Sequence, residues 1–265
     1  MMGKHLVISV SGKGGSGKTT VTALLLKWLI ENTEEVILVV DADPATNLPD
    51  VLGVKIDKTV GMVSKQLKDQ INLGKIPPTV AKKDLLEAWV YQTLSENDRF
   101  DLLAMGRSEG EGCYCYVNSI LTRILDNITE NYSITLLDME AGLEHLSRRT
   151  DHDVDIMLIV TDPSRMGFET AKRIKDLINE VHIKVEKVFL VGNKFNEQLV
   201  SSLEHASSII GIEIAGLLPN DDEVSSYNML GKPLLELPDT SLAYKAIEKI
   251  ANSIGLTTFK RGYKK

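Results

Sequence analysis

Short, unbroken apolar runs alternate along this chain with segments of helical period. The runs at 5–10, 35–40, 100–105, 134–137, 154–160, 185–191 and 212–218 are rich in Val, Ile and Leu and end in polar or turn residues, which predicts strands buried on both faces. Between them, segments 20–31, 84–94, 117–129, 164–180, 197–209 and 240–254 carry apolar residues three and four apart, which predicts helices. Strand and helix in alternation imply an α/β fold, a mostly parallel sheet with helices on both faces. The stretch 53–97 is longer than one crossover needs and contains Gly74-Lys75-Ile76-Pro77-Pro78. It predicts a helical insertion over about 54–97 inside a single domain spanning 1–265.

Ligands of such sheets collect at the carboxyl ends of the strands, and the polar motifs of this chain follow its apolar runs. After the first run comes Gly12-Lys13-Gly14-Gly15-Ser16-Gly17-Lys18-Thr19-Thr20, a phosphate-binding loop in the strand-to-helix context that its physics requires, so the architecture is that of a P-loop NTPase. Gly14, Gly15 and Gly17 let the backbone approach a phosphate, and the N–H groups of the loop and helix N-terminus point at it. Lys18 neutralises β/γ charge and the Thr19 hydroxyl can ligate Mg²⁺. Lys13 is a second lysine where such loops rarely have one.

Asp41 and Asp43 alternate at the end of the second run, which places both carboxylates on the same side of the chain, reaching toward the phosphate loop; one can hold the Mg²⁺ shell while the other orients or deprotonates the attacking water. Asp138 ends the run at 134–137 and is placed to contact Mg²⁺ through water, and Gly142 lies in the turn after it, where a phosphate sensor needs a residue that tolerates large φ/ψ changes. Asn193, after the run at 185–191, offers both a donor and an acceptor to an adenine edge, and Pro219 and Asp221 follow the next run, where they can close around the base.

The chain holds two cysteines, Cys113 and Cys115. An extended Cys-x-Cys turns two thiols to one side, and a two-fold dimer with this segment at its axis would offer four to Ni²⁺ or Zn²⁺. The formal net charge of −7 argues against extended contact with nucleic acid or an anionic membrane. No apolar stretch reaches spanning length and no signal-peptide h-region opens the chain, which leads to the expectation of a cytoplasmic protein.

With Lys13 in its loop, Asp43 after the second strand and Asp138-Met139-Glu140-Ala141-Gly142 later, the sequence resembles the deviant Walker A ATPases, a class that includes septum-positioning and partition ATPases and the nitrogenase iron protein. The resemblance implies an ATP-bound homodimer in which Lys13 reaches the partner's phosphates, with Lys13, Lys18, Asp43 and Asp138 as the catalytic set and Asp43 activating water. The Cys113-Tyr114-Cys115 segment and His145, beyond Gly142, look like the branch that matures carbon monoxide dehydrogenase by nickel insertion. That branch implies ATP, Mg²⁺ and Ni²⁺ (or Zn²⁺) as ligands and a client metalloenzyme as partner. Two other roles within the class fit the same motifs: an iron–sulfur electron carrier, because four thiolates also suit a [4Fe–4S] cluster, and a partition or positioning switch.

Overall fold

The computed structural model describes residues 5–77, 79–107, 115–140, 154–180 and 184–256, with the side chains of 115–122 and 197 left aside. The chain runs β1 (Leu6–Gly12), α1 (Lys18–Asn32), β2 (Ile37–Asp41), α2 (Leu48–Leu52), α3 (Val60–Asn72), α4 (Lys82–Tyr91), β3 (Ser95–Glu96), β4 (Phe100–Ala104), α5 (Cys115–Glu130) and β5 (Ile134–Asp138). It continues through β6 (Val154–Thr161), α6 (Arg165–Glu180), β7 (Val185–Asn193), α7 (Val200–Ile210), β8 (Glu213–Leu218), α8 (Asp222–Leu230) and α9 (Leu242–Ser253).

One eight-stranded sheet results, in the order β3-β4-β2-β5-β1-β6-β7-β8. All its pairings are parallel except the β3–β4 edge. In the central strands β1, β2 and β5, side chains alternate between two cores, as a strand of period two demands. Ile8 and Val10 of β1, Ile37 and Val39 of β2, and Ile134 and Leu136 of β5 face α1 and α9. Val7, Leu38, Val40 and Leu137 face the opposite core, built from α3 to α7. Helix α1 is apolar nearly all round, with Leu24, Leu25 and Leu26 inaccessible, because it lies between the sheet and α9.

Each apolar run became a strand, within a residue or two of its expected ends. Within the 54–97 stretch, α3 starts at Val60 with Thr59 as its N-cap, the hydroxyl accepting the Met62 N–H at 3.3 Å. Three features differ from the expected elements. Residues 197–199 form a 3₁₀ turn before α7 rather than its first turn. Helix α8 has no buried residue, so no apolar period announces it. Cys115 is the first residue of α5, so the extended geometry expected of Cys113-Tyr114-Cys115 does not continue through it; Cys113, Gly142 and His145 lie outside the described residues.

Candidate active site

Parallel strands bring β1, β2, β5, β6, β7 and β8 to one edge by their carboxyl ends, and every motif singled out above that is described lies there. The phosphate loop leaves β1 at Gly12, where φ is 151° and a Cβ would stand 2.2 Å from the Val160 carbonyl oxygen. Gly17, at φ 94°, is the N-cap of α1, with no side chain capping it and no acid in the first turn. The orphan N–H groups of this helix are therefore left to an anion. The Ser16 hydroxyl is buried and has no partner among the described residues, and Lys18 is only 6% exposed. A buried unpaired hydroxyl beside a buried ammonium and uncapped N–H groups fits a bound polyphosphate.

Asp41 and Asp138 are register partners on neighbouring strands and share the parity of the α1-facing residues, so both project toward α1. Burial first, and the nearby Asp138 charge second, push the Asp41 carboxyl up to about 7. Burial likewise pushes Asp138 up to about 6, against hydrogen bonds from Thr19 and Thr22 and the Lys18 charge. The Thr22 hydroxyl donates to Asp138 Oδ1 at 3.2 Å. Buried carboxylates whose ionisation is disfavoured are relieved by a cation, and Thr19 and Asp138 carry oxygen atoms of the hard kind that could hold Mg²⁺.

The two acids at the end of β2 have separate tasks. Asp41 Oδ1 accepts the Asp43 N–H at 3.1 Å and Oδ2 accepts the Leu48 N–H at 3.0 Å, so this inaccessible carboxylate clamps both ends of the 43–48 loop. Asp43 lies beyond the strand in an Asx turn, its Oδ1 accepting the Ala45 N–H at 2.9 Å, and it is half-buried. The rule that residues two apart share a side ends at Asp41. Asp43 is the acid that a water molecule can reach.

Lys13 Nζ does not point into empty solvent. It pairs with Asp162 Oδ2 at 2.9 Å and donates to Ser164 Oγ at 3.3 Å. Partial burial would raise the Asp162 carboxyl, yet hydrogen bonds from Ser164 and Lys13 hold it below the usual carboxylate range. Asp162 and Ser164 follow β6 as the other motifs follow their strands, and that position was the available signal for a site role.

At the far end, Asn193 Nδ2 donates to the Ser16 carbonyl at 2.7 Å, which ties β7 to the phosphate loop and commits one side-chain N–H that might otherwise have met the base. A cavity of about 240 Å³ opens here, lined by Gly17, Thr20, Asn193, Lys194, Pro219 and Asn228 among others. Asp221 also lines it, but its carboxylate is committed elsewhere. It caps α8 by accepting the Glu223 N–H at 2.8 Å, and it receives the Ser241 hydroxyl at 2.6 Å and the Ala243 N–H at 2.9 Å. Held in this way, Asp221 braces the wall of the cavity that it lines.

Among the described residues, no three or more His, Cys, Asp or Glu side chains group as a metal cluster; the thiol of Cys113 lies outside them, as does the side chain of Cys115. No helix of the described residues is long and apolar enough to cross a membrane.

Comparison with known proteins agrees with this geometry. Residues 7–234 match the model of the CobQ/CobB/MinD/ParA nucleotide binding domain. An uncharacterized ATP-binding protein of Methanocaldococcus jannaschii is 45% identical over 249 residues, covering 94% of this chain and 98% of its own. The carbon monoxide dehydrogenase accessory protein CooC of Rhodospirillum rubrum is 30% identical over 237 residues, covering 79% of this chain and 88% of its own. Among solved structures, the septum site-determining protein MinD of Pyrococcus horikoshii, in complex with Mg-ADP, superposes with a TM-score of 0.68 at 19% identity over 98% of this chain and all (100%) of that one.

Proposed function

The chain belongs to the CobQ/CobB/MinD/ParA family of P-loop ATPases, and from that premise we propose that it is a Mg²⁺-ATP-dependent, dimerising ATPase that inserts nickel into a client metalloenzyme of the carbon monoxide dehydrogenase type. Support for the client comes from the similarity to CooC together with the Cys113-Tyr114-Cys115 segment. The observation that carries the mechanism is where that segment departs from the sheet. Strand β4 pairs with β2, and the Met105 N–H donates to the Asp41 carbonyl at 2.8 Å, so the chain heads toward the cysteines directly beside the loop that holds Asp43. A change in that loop on ATP binding or cleavage is felt at the root of the thiol segment.

The residues divide the work as follows. The phosphate loop and Lys18 bind the triphosphate, and the cavity next to Asn193 and Pro219 receives the adenine. Thr19 and Asp138 would hold Mg²⁺, which neutralises phosphate charge when bound. Asp43, positioned by the Asp41 clamp, accepts the proton of the attacking water. Lys13 leaves Asp162 and enters the partner's site, where its charge stabilises the transition state. Closing the dimer brings two Cys113/Cys115 pairs together, and the nickel cargo is bound by their thiolates until hydrolysis separates the protomers.

Nickel-dependent activation of metal-deficient carbon monoxide dehydrogenase tests this. Activation should require Ni²⁺, hydrolysable ATP and the intact protein, and should fail with Lys18→Ala. Equal activation without ATP would refute the reading, and a visible charge-transfer band after anaerobic iron and sulfide reconstitution would favour an electron carrier instead.

A further inference from the structure

The second turn of α1 holds a polar side chain that solvent does not reach: Thr22 is 0% exposed, as are Val21, Ala23 and Leu24 around it. A hydroxyl in that setting costs free energy unless it is bonded, a cost that valine, of the same shape, would avoid. Its one proton faces two acceptors, the Lys18 carbonyl at 3.0 Å and Asp138 Oδ1 at 3.2 Å. The Lys18 carbonyl already receives the helical N–H four residues on, and any threonine inside a helix can make that backward bond. The carboxylate is the stronger acceptor, and only the fold brings it within reach. Thr19 and Thr22 are three apart, so they share one face of α1, and both bond to Asp138. Thr19 is half-buried beside the phosphate loop, whereas Thr22 is inaccessible one turn further in. An ion at the site can therefore touch Thr19 directly, and can feel Thr22 only through Asp138.

We propose that Thr22 is a positioning residue of the Mg²⁺ site, whose hydroxyl holds Asp138 Oδ1 and so aims that carboxylate at the water shell of the ion. The assignment rests on the Mg²⁺-nucleotide reading of the same site. Outer partners of this kind fix the groups that meet a metal, and removing one lowers ion affinity by about ten- to a hundredfold. Thr22 lies beyond the phosphate loop, so its loss should be felt by the ion and not by a nucleotide that carries none.

Two calorimetric titrations test this on wild type, Thr22→Val, Thr22→Ala and Thr22→Ser: ADP into the protein in EDTA, and Mg²⁺ into the one-to-one protein–ADP complex. Thermal unfolding in parallel checks that each variant is folded. Thr22→Val and Thr22→Ala should bind metal-free ADP within about twofold of wild type, since the phosphate loop and Lys18 are untouched. Their Mg²⁺ affinity should fall about tenfold or more, while Thr22→Ser, which keeps the donor, should retain it within about threefold. Mg²⁺ affinity within about twofold of wild type in a folded Val or Ala variant would overturn the assignment and leave the hydroxyl to the Lys18 carbonyl alone. Equal losses of Mg²⁺ and of metal-free ADP would overturn it as well, as a disturbance of α1 at large, and so would a Ser variant as weak as Val. Failure of the wild type itself to bind ADP, or of its ADP complex to bind Mg²⁺, would overturn the underlying reading, and this assignment with it.

Discussion

If Lys13 works across a dimer interface, its contact with Asp162 in the single protomer must oppose dimerisation, and Asp162→Asn should release that restraint. The pair is 2.9 Å apart, with Lys13 33% and Asp162 19% exposed. At such exposure, solvent screening leaves a net value of about 1 kcal/mol, far below the Coulomb energy of a dry pair. Each protomer loses that contact when Lys13 moves to the partner, so the dimer as a whole forgoes about 2 kcal/mol, or about 30-fold in its dissociation constant. Sedimentation velocity over a range of protein concentrations, with a non-hydrolysable ATP analogue, reads this directly. The variant should dimerise about 30-fold more tightly at low salt, and the gap should narrow at high salt, where the restraint is already screened. Unchanged nucleotide affinity is the necessary control. A variant dimer no tighter than wild type would refute the restraint, and a weaker one would place Asp162 in the interface itself.

Three further outcomes follow from the same geometry. Asp43→Asn should bind ATP and dimerise but hydrolyse at least about a hundredfold more slowly, as loss of a general base predicts, and single-turnover kinetics would detect it; normal turnover would transfer the role to another acid. The raised pKa values of Asp138, about 6, and Asp41, about 7, mean that their contribution to stability is present below the ordinary carboxylate pKa and is lost as pH rises through 6 to 7. Calorimetry of the ligand-free protein should therefore show Asp138→Asn to be more stable than wild type at pH 8, by about 3 kcal/mol at most, and no more stable at pH 4; a variant less stable at pH 8 would contradict this. Gly17→Ala would place a Cβ 2.0 Å from Asn193 Nδ2 at a φ of 94°. Left-handed strain and the broken Asn193–Ser16 bond together should cost about 2 to 3 kcal/mol, a fall of roughly 5 to 10 °C in unfolding temperature, which thermal unfolding would measure.

Local signals carried much of the fold. The strands of a parallel sheet are buried on both faces, so β1, β2 and β4 to β8 read as unbroken apolar runs, and the phosphate loop identifies itself by four glycines and two lysines within eight residues. Features fixed by distant contacts were not legible. Helix α8 buries nothing, and its cap Asp221 is held in place by the distant Ser241 hydroxyl and Ala243 N–H. The two-residue strand β3 exists only because β4 offers an edge. The choice between Asp41 and Asp43 turned on whether the strand extended past Asp41, which the sequence pattern leaves open. Asp162 escaped notice because Asp-Pro-Ser reads as ordinary turn chemistry, although it ends a strand at the ligand-binding edge as the other site motifs do.

The shared thiolate site is the claim that distinguishes nickel insertion from a general ATPase switch. Native mass spectrometry of anaerobically purified protein with Ni²⁺ and a non-hydrolysable ATP analogue measures metal and subunits in the same particle. One nickel per dimer should be found, in wild type only, with Cys113→Ser and Cys115→Ser each abolishing it while ATP analogue remains bound. One tightly held nickel per monomer, or nickel retained by the double serine variant, would contradict the account.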